Sequence, residues 1–120
     1  MKILIVDDSK AMRMIVTRTL RQAGYGDHTL LEACDGQEGL AAVDREAPDL
    51  VLSDWNMPEV TGIEFLRALR ASGNDVRFGF VTSESTDAMR ATAEQAGALF
   101  LIGKPFSAET FAEQLGAVLV

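Results

Sequence analysis

The chain has 120 residues, 48% of them hydrophobic, and a net charge of -7 from eleven Lys and Arg against eighteen Asp and Glu. That length suits one domain with a self-sufficient core, and the acidic balance argues against an electrostatic grip on nucleic acid or an anionic membrane. Cys34 stands alone and forms no internal disulfide, and Met1 leads into a strand-like run with neither a signal peptide nor a long apolar span, as expected of a cytoplasmic protein.

The first apolar run, Lys2 to Val6, ends on Asp7 and Asp8, and Met12, Ile15, Val16 and Leu20 follow at helical spacing. A second run, Thr29 to Ala33, precedes Asp35 and Glu38, which fit a reciprocal capping box with Asp in the usual Ser or Thr place; Leu40 and Val43 continue the helical period. The third, Leu50 to Ser53, stops on Asp54 and turns through Trp55, Asn56, Pro58 and Gly62. There Thr61 and Glu64 form a second capping box ahead of Ile63, Leu66 and Leu69. The fourth, Phe78 to Thr82, opens into Ser83, Glu84 and an Ala-rich helix, Asp87 to Ala96, whose one large apolar residue is Met89. The fifth, Leu99 to Ile102, opens into Gly103, Lys104 and Pro105, ahead of Phe111, Leu115 and Val118 at helical spacing. Gly24, Gly73 and Gly97 each follow a helical segment, as C-terminal caps do.

Strands alternating with helices predict an α/β fold with a doubly wound, five-stranded, mostly parallel sheet and right-handed crossovers. Ligands of such sheets bind outside the carboxyl ends of the strands, where strand order reverses. Those ends carry Asp7 and Asp8, Asp54, Thr82 and Lys104. If the first and third strands are neighbours, three carboxylates converge, and each like-charged pair at about 5 Å repels by roughly 3 kcal/mol at an effective dielectric of 20. Either a carboxyl pKa rises or a cation binds, and an open, oxygen-only cluster suits Mg²⁺. Lys104 and the Thr82 hydroxyl, across Asp54 from such an ion, are placed to bracket a phosphoryl group, with Asp54 as its nucleophile.

The segments VDDS, SDWNMP, VTSE and GKPF resemble the receiver domains of two-component response regulators, over Lys2 to about Leu119, and the stand-alone chemotaxis members most of all. The resemblance implies a single receiver domain over residues 1–120 with the flavodoxin-like strand order 2-1-3-4-5, an order carried over from the family. It implies that Asp54 accepts a phosphoryl group from a partner histidine kinase, and that Asp8, Asp54 and the Asn56 backbone carbonyl bind Mg²⁺, with Asp7 acting through a water. Lys104 would contact the phosphoryl group, Thr82 would move towards it, and the Lys104 to Pro105 bond would be cis. Asn56 and Glu84 stand at the positions that tune self-dephosphorylation, in types that imply a brief phosphorylated state. The chain would catalyse only its own phosphorylation and dephosphorylation, and as a monomer would bind a downstream protein through its fourth helix, fifth strand and fifth helix. The thin packing of the fourth helix suits it to conformational change.

Two positions depart from the family. Leu101 stands where many receivers carry an aromatic switch residue, and strand alternation points the neighbouring Phe100 to the opposite face. Ser83 replaces a small Ala after Thr82. Outside the motifs, Trp55 reads as a partly exposed loop residue, Cys34 as structural and His28 as a surface residue. A phosphate sink or phosphorelay intermediate would share every motif residue. A haloacid dehalogenase-like phosphatase would want Asp where Asn56 stands, and a flavin binder would not follow its first strand with two carboxylates.

Overall fold

In a computed structural model, which describes residues 1–119, the apolar runs form five parallel strands: β1 (Lys2–Val6), β2 (Thr29–Ala33), β3 (Leu50–Ser53), β4 (Arg77–Thr82) and β5 (Phe100–Gly103). Their order is 2-1-3-4-5, as the family resemblance implies. The helices between them are α1 (Lys10–Leu20), α2 (Gly36–Glu46), α3 (Gly62–Ala71), α4 (Asp87–Ala96) and α5 (Ala108–Val118).

Strand alternation divides the core in two. Leu4, Val6, Val51, Phe78, Phe80 and Leu101 face one way and pack with Ala42, Val43, Phe65, Leu66 and Ala93 of α2, α3 and α4. Ile3, Ile5, Leu50, Leu52, Val81, Phe100 and Ile102 face the other way and pack with Val16, Leu20, Phe111 and Leu115 of α1 and α5. Both faces of the sheet are covered, which is why the strands read as unbroken apolar runs. Phe65, Phe78, Phe80 and Phe111 are fully buried, each contributing about 2 kcal/mol or more by leaving water. Phe100 lies over Gly79, its register partner on β4, where any β-carbon would meet the ring.

Each helix opens on a side chain that accepts a backbone N–H of its first turn: Ser9, Asp35, Thr61, Thr86 and Ser107. The Thr61 to Glu64 capping box is complete, with the Glu64 carboxylate taking the Thr61 amide at 3.0 Å. Thr61→Ala is expected to cost about 1 kcal/mol, read as a lower urea midpoint at unchanged slope; no shift would mean that water replaces the cap.

Several sequence expectations are corrected. The Asp35 to Glu38 box is half formed: Asp35 caps the Glu38 amide at 2.8 Å, but Glu38 reaches past it to the Cys34 amide and thiol. That hydrogen bond pushes the Cys34 thiol pKa up. Strand β4 starts one residue earlier than the apolar run and β5 is displaced by one, because Gly103 pairs with Thr82 while Leu99 lies outside the strand with its side chain half exposed. Ile15, predicted on the buried stripe of α1, is 42% exposed. Gly24 lies inside a single π-helical turn (Arg21–Tyr25) that extends α1, and has positive φ there, as Gly73 and Gly97 do at the ends of α3 and α4. No helix among the described residues is long and apolar enough to cross a membrane.

Candidate functional site

Pairing of β1 with β3 sets Val6 beside Ser53, so the two strands release Asp7 and Asp54 side by side at the carboxyl edge. Backbone hydrogen bonds fix both residues: the Asp7 amide donates to Ala33 at 3.1 Å and the Asp54 amide to Val6 at 2.9 Å. Asp7 and Asp54 are buried, whereas Asp8, on the loop into α1, is exposed. One oxygen from each of Asp7, Asp8 and Asp54 lies within 4.8 Å of the others. The predicted convergence of three carboxylates is therefore present.

Lys104 enters the same cluster from the loop after β5, with Nζ 3.3 Å from an Asp7 oxygen and 3.6 Å from an Asp54 oxygen. The cis peptide between Lys104 and Pro105 follows directly, and the Lys104 amide donates to the Thr82 carbonyl at 2.8 Å. Thr82 is fully buried at the end of β4, and its hydroxyl accepts the Glu84 amide at 3.4 Å. Asn56, Ser83 and Glu84 lie exposed on the same edge. The structure thus gathers Asp7, Asp8, Asp54, Thr82 and Lys104 at the carboxyl ends of β1, β3, β4 and β5.

Burial raises the Asp54 pKa above the usual carboxylate value; the Lys104 ammonium opposes this, the Asp7 charge adds to it, and the Trp55 and Asn56 amides oppose it. The Trp55 amide donates to the Asp54 carboxylate at 2.8 Å, so the residue after the carboxylate orients it. Both responses foreseen for crowded carboxylates thus bear on this site: one carboxyl resists ionisation, and the donor set suits a cation. Three oxygens at this spacing, one of them open to solvent, fit a hard divalent ion that keeps part of its water shell.

The response regulator receiver domain matches residues 3–116. The chain belongs to that family. Among similar proteins, chemotaxis protein CheY1 of Helicobacter pylori is 39% identical, with 99% of this chain and 97% of the relative covered. The chemotaxis protein CheY homolog of Campylobacter jejuni is 38% identical over 99% of this chain and 92% of its own length. Among solved structures, Vibrio cholerae chemotaxis protein CheY4 superposes with a TM-score of 0.86 at 34% identity, covering 98% of this chain and 97% of that one. Receivers of this kind are signalling proteins rather than conventional enzymes, and membership implies a kinase partner and a downstream target.

Leu101, at the receiver's usual aromatic position, is 7% exposed and faces α4, while Phe100 faces α1 and α5, as strand alternation predicts. Trp55 is half-buried, its ring 4.7 Å from Phe80.

Three residues around the site were given no part in it by the sequence reading. Ser53 is buried and its hydroxyl donates to the Asp54 carbonyl at 2.8 Å. Gly62, foreseen only as a loop residue, has no room for a β-carbon against the Asp54 carbonyl. Arg13, on α1, donates from its guanidinium to the Asp7 carbonyl at 2.6 Å. A side chain that bonds to backbone leaves no pairing partner to be found by residue type.

Proposed function

We propose that this chain, acting as one receiver unit over residues 1–120, is phosphorylated on Asp54 by a partner histidine kinase in a Mg²⁺-dependent reaction and signals by phosphorylation-dependent protein binding. The observation that carries this reading is the convergence of Lys104 on Asp54 and Asp7, beside Asp8. A lysine set against carboxylates suits phosphoryl transfer, where positioning and charge stabilisation supply most of the catalysis.

Asp8, Asp54 and the Asn56 backbone carbonyl are the proposed ligands of Mg²⁺, with Asp7 acting through a water. When bound, the ion neutralises charge on the phosphoryl oxygens. An Asp54 oxygen attacks phosphorus in line with the leaving group; the bond from phosphorus to the kinase's histidine nitrogen breaks, that nitrogen keeps the electron pair, and an acyl phosphate forms on Asp54. Burial that disfavours charge on Asp54 also strips water from the attacking oxygen. Lys104 and the Thr82 hydroxyl take the phosphoryl oxygens. Hydrolysis reverses the modification when water attacks phosphorus, and Asn56 and Glu84, both exposed at the rim, set its access. The chain is not an enzyme in any further sense.

The output surface is α4, β5 and α5, with Thr82 and Leu101 as the switch between states. Only Ala93 of α4 is buried, and a groove of about 550 Å³ lined by Arg90, Leu99 and Leu101 runs between α4 and β5. The similar proteins carry chemotaxis names, which supports a chemotaxis pathway for this chain, acting in the proposed reading as a cytoplasmic monomer.

Titration of Mg²⁺ and then acetyl phosphate, followed by Trp55 emission, tests this reading. The expected result is a change at each step, with Asp54→Asn losing the second, and a phosphoryl adduct in the wild-type intact mass alone. An adduct that persists in Asp54→Asn would place the phosphoacceptor elsewhere.

A further inference from the structure

We propose that Arg13 is a positioning residue for the carboxylate cluster, holding the peptide between Asp7 and Asp8 in the orientation that presents both side chains to a divalent ion. The inference rests on the Mg²⁺-dependent reading above and deepens it. Asp7 is already anchored at three points: its amide on Ala33, one carboxylate oxygen on the Ser9 amide at 2.9 Å, and the other on Lys104. Asp8 is exposed, and no hydrogen bond among the described residues holds its carboxylate. The peptide that Asp8 shares with Asp7 is rigid, so its plane sets where the Asp8 α-carbon stands. Arg13 takes the carbonyl of that peptide at 2.6 Å.

The guanidinium is itself held. Its Nε donates to Glu32 of β2 at 2.9 Å, and the side chain is 14% exposed despite its position on a helix surface. One planar group thus bridges the neighbouring strand and the loop between β1 and α1. A lysine in its place could satisfy one partner but not both, because an ammonium lacks the fixed fork. Residues that orient the ligands of a metal, without touching it, typically change its affinity by about 10-fold to 100-fold when lost.

Charge and positioning predict opposite signs. Arg13 is a cation beside an acidic cluster, so if it acted only through charge, its removal would tighten binding of a divalent ion. If it orients Asp8, removal weakens binding. The experiment compares Arg13→Gln, Arg13→Met and Arg13→Lys with wild type, using Mg²⁺ alone as the probe and Trp55 emission as the readout. Arg13→Gln is expected to raise the Mg²⁺ dissociation constant about 10-fold. Arg13→Lys should recover part of that loss. At saturating Mg²⁺ the rate of phosphorylation by acetyl phosphate should return to within about twofold of wild type, as expected when ligand orientation rather than the chemical step is lost. Unchanged or tighter Mg²⁺ binding in Arg13→Gln overturns the inference. Should that variant not fold, Arg13→Met decides in its place, since it keeps the aliphatic stem in its largely covered position and removes every donor, and unchanged or tighter Mg²⁺ binding overturns the inference equally. A wild-type protein that ignores Mg²⁺ would instead remove the reading beneath it.

Discussion

Gly62→Ala is expected to lower the melting temperature by roughly 8 °C and to slow phosphorylation of Asp54 by about 100-fold, although the substitution adds a single methyl group. Gly62 opens α3 and donates its amide to the Trp55 carbonyl at 2.8 Å, which draws the helix start against the strand end that carries Asp54. A β-carbon there would collide with the Asp54 carbonyl oxygen and approach the Trp55 α-carbon and the Phe80 ring. Neither backbone can withdraw cheaply. The Asp54 amide is tied to Val6 and its carbonyl to the Ser53 hydroxyl, while the Phe80 ring is fully buried between Phe78 and Trp55. Alanine would recover up to about 1 kcal/mol of helix propensity, but overpacking against fixed neighbours costs up to about 3 kcal/mol. A net loss near 2 kcal/mol corresponds to the stated shift for a domain of this size. The rate effect is separate: whatever relieves the collision moves Asp54, and a displacement near 1 Å costs about 100-fold in an in-line reaction. Thermal unfolding and the acetyl phosphate rate read the two effects independently. An unshifted melting temperature would mean that α3 slides freely, contrary to the contacts described.

The sequence carries much of this arrangement because its strongest signals are local. Strands covered on both faces show as unbroken apolar runs, and caps show as Ser, Thr or Asp before a helical period, so β1, β2 and β3 fall at the residues expected. The order of the strands was not readable from these signals and came from resemblance. The misreadings share one cause: backbone pairing and exposure are not properties of residue type. Leu99 is apolar but lies outside the strand, and Gly103 lacks a side chain yet joins it. Ile15 sits at a helical spacing that matches the core, but the stripe that α1 buries runs through Val16 and Leu20. Polar residues at strand ends were legible as a site because parallel topology delivers every such end to one edge. Arg13 was not, since an arginine on an amphipathic helix has the pattern of a solvated residue, and only the fold brings it to the Asp7 carbonyl.

Lys104→Met and Asp54→Asn are expected to shift stability in opposite directions at neutral pH, and both differences should shrink in acid. Lys104 is the cation in contact with two nearly buried carboxylates, and its side chain is 14% exposed, against 5% for Asp7 and 11% for Asp54. Removing one partner of a buried ion pair leaves uncompensated charge, which costs about 3 kcal/mol. Removing Asp54 instead deletes a carboxyl whose burial and proximity to Asp7 already outweigh its attraction to Lys104, as its raised pKa records. Asp54→Asn should therefore stabilise the fold, read as a higher urea midpoint at neutral pH.

The pH dependence follows from the direction of that shift. A carboxyl whose folded pKa is raised holds its proton in the folded chain at a pH where the unfolded chain has released it. Its favourable contribution is complete below the unfolded carboxylate range and is lost as pH rises through the folded value. The penalty of ionising Asp54 thus grows in wild type as pH rises, and Asp54→Asn relieves it. Lys104→Met removes the ammonium that opposes the rise in the Asp54 pKa, so its destabilisation grows as pH rises and fades as Asp54 takes up its proton. Urea midpoints measured between neutral pH and the acid end of the carboxylate range, without divalent ions, follow both curves. If Lys104→Met proved as stable as wild type at neutral pH, Lys104 would be a solvated lysine at a strand end, and the anion-binding role proposed for it would lose its electrostatic basis.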